Sequence, residues 1–152
     1  MDFFLVRHGE AAPEHEDPRR PLTDRGRQEV EIVARAVRAK KAAVAEILHS
    51  GKLRARQTAE IMAWFLSPGR GVRQITGLAP EADPALAKAE LEATDASLML
   101  VGHLPHLGRL ASLLVTGDGE RSVVEFPPAA VVCVSRLGEV WHIEWSLAPA
   151  MI

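Results

Sequence analysis

The chain has 152 residues, with 18 Lys and Arg against 20 Asp and Glu, a formal net charge of −2, and 47% hydrophobic content. That length can bury a core without staples, and the charge balance excludes a basic nucleic-acid footprint. The single Cys133 excludes an intramolecular disulfide, and no run approaches the roughly 18–20 apolar residues of a membrane-spanning helix.

The first segment, Met1-Asp2-Phe3-Phe4-Leu5-Val6-Arg7-His8, has an acid where a secretory signal needs basic residues, so a cytoplasmic protein is expected. Phe3–Val6 reads as a strand covered on both faces. Glu10 to Pro21 contains three prolines and reads as a loop. Thr23 then suits an N-cap, and Val30, Val33, Ala34 and Val37 mark one buried helical stripe ending near Lys40. Glu46–His49 is a second strand, followed by a helix from about Lys52 to Leu66 that Ser67-Pro68-Gly69 terminates. Val72–Thr76 alternates like a strand, and Pro84–Ala93 reads as a short helix. Ser97–Val101 is another continuous apolar strand, broken at Gly102. Pro105 suits the first position of a helix whose apolar face is Leu107, Leu110, Ala111 and Leu114. Beyond the Gly117–Gly119 turn, Ala129–Arg136, a turn at Gly138 and Val140–Ser146 read as a hairpin, with Cys133 a buried, inert thiol.

Strands alternating with helices predict an α/β fold: a three-layer sandwich with a mostly parallel central sheet, helices on both faces and an antiparallel C-terminal hairpin. No repeat or linker interrupts it, so residues 1–152 are expected to form one domain. Ligands of open α/β sheets gather beyond the carboxyl ends of the strands. Three predicted strands run into polar residues there. The first enters Arg7-His8-Gly9-Glu10, the second leads through His49-Ser50-Gly51-Lys52-Leu53 to Arg54, and the third enters Gly102-His103. Parallel strands would bring two arginines and two histidines to one rim. Guanidinium forks match phosphate oxygens in a bidentate way and stabilise charge on a transferring phosphoryl group. They also depress the pKa of a neighbouring histidine, which must be neutral to act as a nucleophile. The helix N-termini after Leu53 and His103 add N–H donors.

Four stretches occur in order: Leu5-Val6-Arg7-His8-Gly9-Glu10-Ala11, Pro21-Leu22-Thr23 with Gly26, Ser50-Gly51-Lys52-Leu53-Arg54-Ala55-Arg56-Gln57-Thr58-Ala59, and Val101-Gly102-His103-Leu104-Pro105. Together they resemble the signature of the histidine phosphatase (phosphoglycerate mutase-like) superfamily. The short length and the Gly102-His103-Leu104-Pro105…Gly108…Leu110 segment are similar to its SixA-type phosphohistidine phosphatases. The resemblance implies a phosphoglycerate mutase-like fold with His8 as the phosphorylated nucleophile. Arg7, Arg54 and His103 would complete the phosphate pocket, His103 acting best as the imidazolium. Leu104 and Glu10 would border the substrate, Glu10 orienting His8 or a water. No metal or organic cofactor is implied.

Larger members of the superfamily carry a glutamate general acid after the third strand. Here Gly77 falls at that place, with Glu81 and Asp83 beyond it. An alkoxide leaving group needs a proton in the transition state, whereas imidazole, with a free pKa of about 6.5, is a far weaker base. The expected substrate is therefore a phosphohistidine on a histidine phosphotransfer protein. A broad phosphatase of small phosphate esters and a non-catalytic phosphate-binding module are the alternatives. Neither nucleic acid nor a membrane is an expected partner, and the oligomeric state stays open. Among the other residues, Arg56 is expected to be solvated, and Arg19 and Arg20 either steer an anionic partner or are plain loop charges. His106 belongs either to the rim or to the surface, His15 and His142 to solvent, and His49 has no assigned role. The adjacent arginines argue against a metal at the histidines.

Overall fold

The computed structural model describes residues 1–152 and forms ten regular elements and a closing 3₁₀ turn at Pro149–Met151. In chain order these are β1 (Asp2–Arg7), α1 (Asp24–Ala39), β2 (Glu46–His49), α2 (Leu53–Leu66), β3 (Val72–Gln74), α3 (Pro84–Ala93), β4 (Leu98–Gly102), α4 (His106–Thr116), β5 (Val131–Leu137) and β6 (Val140–Leu147). The sheet order is β3-β2-β4-β1-β5-β6. The first four strands run parallel, β5 pairs antiparallel with β1, and β6 pairs antiparallel with β5. This is the expected mostly parallel sheet with an antiparallel C-terminal hairpin. No helix is long and apolar enough to cross a membrane.

The continuous apolar runs occur where strands are covered on both sides, because successive side chains point to opposite faces. Phe3 and Leu5 of β1, with Leu98 and Leu100 of β4, pack into a cluster containing Leu91 of α3 and Leu107, Leu110 and Leu114 of α4. Phe4 and Val6, with Met99 and Val101, face the other way, onto Val30, Val33, Ala34 and Val37 of α1 and Ala55, Ala59 and Met62 of α2. Both layers derive their stability chiefly from these apolar contacts, each fully buried large side chain contributing about 1.5–3 kcal/mol.

Where α1 begins, Thr23 Oγ1 accepts the N–H of Gly26 at 2.9 Å, and the Thr23 N–H donates to the Glu10 carbonyl at 3.0 Å. This cap lets the helix press directly on the segment leaving β1. A Cβ on Gly26 would stand 2.1 Å from the Glu10 carbonyl oxygen, a backbone atom that cannot swing aside. Gly26→Ala is therefore expected to destabilise the fold by about 1–3 kcal/mol in denaturant unfolding. Helix propensity alone would give the opposite sign, about 1 kcal/mol of stabilisation. A variant as stable as the original would show that the contact relaxes freely.

Several element ends differ from expectation, and three of them have a visible cause. β3 ends at Gln74 instead of Thr76, because its partner β2 supplies only Ile47, Leu48 and His49 for pairing and Gly77, at φ 95°, turns the chain away. β5 begins at Val131 instead of Ala129, since Ala129 is left-handed at φ 65° and donates its N–H to the His8 carbonyl at 3.2 Å. Pro105 sits at the cap of α4, one residue before the helix, with its carbonyl accepting from the Arg109 N–H at 3.1 Å.

Candidate active site

Register decides which loops meet. Arg7 is opposite Gly102, and His49 is opposite Val101, so the chain leaves β1, β2 and β4 at one edge of the sheet. The His8 N–H donates to the Gly102 carbonyl at 3.1 Å, tying the first and third of these exits together. The imidazoles of His8 and His103 lie with ring centroids 5.0 Å apart and planes tilted by 55°. Arg7 donates from one terminal nitrogen to the Phe126 carbonyl at 2.8 Å. The Nε atoms of Arg7 and Arg54 are buried without a protein partner.

The Ser50–Ala59 motif supplies scaffolding as well as Arg54. Thr58 is fully buried; its hydroxyl donates to the Arg54 carbonyl at 2.8 Å and accepts the Gly9 N–H at 3.1 Å. The first turn of α2 is thus locked to the residue following His8. Gln57 Oε1 accepts the Leu22 N–H at 2.8 Å, which fastens the same helix to the Pro21-Leu22-Thr23 segment. Arg54 is therefore aimed by backbone contacts. Glu60 pairs with exposed Arg56 at 2.7 Å.

His8 Nδ1 lies 2.7 Å from the Gly9 carbonyl oxygen. A carbonyl can only accept, so Nδ1 carries the proton and Nε2 keeps its lone pair. Burial pushes the His8 pKa down to about 4, with the charges of Arg54, Arg7 and Arg20 acting in the same direction against the Gly9 bond. Burial likewise pushes His103 to about 3, helped by His8, Arg54, Lys52 and His106. At rest His103 is therefore neutral, and the imidazolium expected of it during phosphoryl transfer requires an arriving anion.

Both rings take up protons more readily in the unfolded chain, whose imidazoles titrate near the ordinary 6.5. Stability is accordingly present above about pH 6.5 and lost as pH falls through about 4 for His8 and about 3 for His103. Thermal unfolding is expected to show a Tm that drops across this interval, and to drop less in His8→Asn. An equal acid loss in that variant would contradict the assignment.

Other sequence candidates separate clearly. Glu10 does not orient His8: its carboxylate accepts from the Thr23 hydroxyl at 2.8 Å, and the Gly9 carbonyl holds the imidazole instead. Leu104 is 38% exposed and borders a groove of about 610 Å³ that also involves Pro105, Phe126 and Pro127. This groove begins at the residue following His103, and neither imidazole lines it. His106 is neither at the rim nor on the surface. It is wholly buried, and although the Gly77 backbone is near enough to favour its charged form, neither ring nitrogen reaches hydrogen-bonding geometry. His49 is buried and accepts the Gly51 N–H at 3.1 Å, so it shapes the turn. His15 is exposed, whereas half-exposed His142 bonds Glu144. Burial pushes the Cys133 thiol up to about 12, as an inert core residue requires.

Arg19 and Arg20, equivalent in sequence, part company. Arg19 pairs with Asp17 at 2.9 Å in solvent. Arg20, left-handed at φ 50°, donates from Nε to the Ala12 carbonyl at 3.1 Å, and its charge acts on both His8 and Arg54. Its positive charge is thus felt at the site. The only sequence signal for it was its place just before Pro21-Leu22-Thr23. Of the two acids beyond Gly77, Asp83 accepts the Ala85 N–H as the cap of α3, and Glu81 is exposed.

Comparison with known proteins identifies the family. Residues 3–81 match the family model for the histidine phosphatase superfamily (branch 1). The phosphohistidine phosphatase SixA of Escherichia coli is 33% identical over 123 residues, 78% of this chain and 76% of that protein. An uncharacterized protein of Picosynechococcus sp. is 42% identical over 126 residues, 78% of this chain and 75% of its own length. Among solved structures, the protein histidine phosphatase SixA complexed with tungstate superposes with a TM-score of 0.89 at 29% identity, covering 99% of each chain.

Proposed function

The chain belongs to the histidine phosphatase superfamily and is a phosphatase of the SixA type, and on that premise we propose that it removes phosphate from a phosphorylated histidine of a partner protein. The observation that carries this reading is the His8 Nδ1 contact with the Gly9 carbonyl, which leaves Nε2 as a neutral nucleophile beside guanidinium groups. In the first step Nε2 attacks phosphorus in line on a phosphohistidine whose own ring carries a proton on its other nitrogen. The bond to that ring breaks so that it leaves as neutral imidazole, and phospho-His8 forms. Nδ1–H stays on the Gly9 carbonyl throughout, so the phosphorylated ring is a cation and a ready leaving group. Water then attacks phosphorus, returning neutral His8 and releasing inorganic phosphate. Arg7, Arg54 and His103 stabilise the transferring group in both steps, which is worth most where water is excluded.

The absence of a carboxylic acid at the glutamate position supports a phosphohistidine over an alkyl ester. Protonating an alkoxide leaving group is worth about 10²–10⁴-fold, and nothing at Gly77 supplies that proton. The open groove beside the pocket supports a protein side chain over an enclosed metabolite. Tungstate, which the related structure carries, is a tetrahedral oxyanion and suits the same distribution of positive charge. Turnover of a phosphohistidine-bearing protein beside 3-phosphoglycerate tests the reading. Faster release from the protein is expected, and preference for the metabolite would replace it with a small-ester phosphatase of the same mechanism.

A further inference from the structure

The imidazole of His103 makes a single hydrogen bond, to the hydroxyl of Ser50, with Nε2 and Oγ 2.6 Å apart. Its other nitrogen, Nδ1, is buried and has no partner. The ring is only 2% exposed, so solvent does not complete its bonding. Ser50 is itself held firmly. Its Oγ accepts the Lys52 N–H at 3.3 Å, and the following Gly51, at φ 94°, donates its N–H to His49 Nδ1. The Gln74 side chain fills the space where a Gly51 Cβ would stand, coming within 2.4 Å of it. The pairing of His49 with Val101 then sets this turn across from the end of β4.

The two nitrogens of the neutral ring are not equivalent. An orphaned buried N–H is rarer and costlier than an under-used acceptor. The single proton therefore resides on Nε2 and is donated to Ser50, leaving a lone pair on Nδ1. A second proton, drawn from solvent by a phosphate dianion, adds at Nδ1 while the bond to Ser50 persists.

We propose that Ser50 is a positioning residue for His103: its hydroxyl fixes the ring plane, keeps the resting proton on Nε2, and leaves Nδ1 as the nitrogen protonated when phosphate arrives. This rests on the reading of His103 as part of the phosphate pocket. Ser50→Ala and Ser50→Thr in the full chain test it, assayed with a phosphohistidine protein and with 4-nitrophenyl phosphate, and by ¹⁵N NMR of His103. The alanine variant is expected to lose roughly tenfold to a hundredfold in kcat, the range for removing a group that orients a functional imidazole, with KM changed far less. Its ¹⁵N spectrum is expected to shift from one protonated nitrogen to a tautomer mixture, and threonine, which keeps the hydroxyl, is expected to restore both readouts. Unchanged turnover and spectrum in the alanine variant would overturn the proposal, as would equal losses in both variants with the tautomer intact. If the unaltered chain hydrolyses neither substrate, the catalytic reading fails separately, and the spectrum alone decides whether Ser50 sets the tautomer.

Discussion

Turnover in His8→Ala is expected to fall by on the order of 10⁴-fold or more, the scale seen when a covalent nucleophile is removed. The reason is specific to this pocket. His106 is sealed in the core and the Cys133 thiol is buried and held protonated, so neither can substitute. Arg7 and Arg54 stay in place, because Arg7 is bonded to the Phe126 carbonyl and the backbone of Arg54 to Thr58. Binding of inorganic phosphate or tungstate should therefore survive within a few-fold of the original affinity. The direct measurement is acid-labile phosphate trapped on the protein after mixing with substrate, present in the original chain and absent in the variant. Full activity in His8→Ala, or label on another residue, would remove His8 from its proposed role.

Arg54→Ala is expected to cost about 10²–10³-fold in kcat, as for the loss of one preorganised group facing developing negative charge. Arg54→Lys should recover little, since an ammonium point charge cannot reproduce the planar two-pronged contact with phosphoryl oxygens. A second readout separates this from misfolding. Arg54 lowers the pKa of both His8 and His103, so its removal must raise them. The acid limb of the activity profile should move to higher pH in Arg54→Ala. The Thr58 bonds to the Arg54 carbonyl and the Gly9 N–H involve the backbone of positions 54 and 9, and the fold should be retained. An unchanged acid limb with full activity would place the guanidinium outside the pocket.

The periodicities that report local burial were legible in the residues alone. The stripe Val30, Val33, Ala34 and Val37 is wholly buried in α1, and the bounds read for β2 and α3 match the structure. Thr23 caps as its chemistry suggests. The largest shifts at element ends come where a neighbour governs: β3 stops where short β2 stops, and Ala129 is turned by its contact with His8. Likewise no pattern around His106 distinguishes a rim position from the sealed core where it lies. The difference depends on what packs over α4, and that layer comes from distant chain.

Residue order and type by themselves determined the α/β class, the three polar strand ends and the two arginines and two histidines that follow them, because a strand's alternation and a side chain's charge are local properties. Only the tertiary structure decided which ring nitrogen of His8 is free, that Arg20 and not Arg19 joins the site, and that Ser50 holds His103. The Ser50–His103 and Arg7–Phe126 contacts join residues 53 and 119 positions apart. They follow from strand register and the directions of individual loops, which no local spacing encodes.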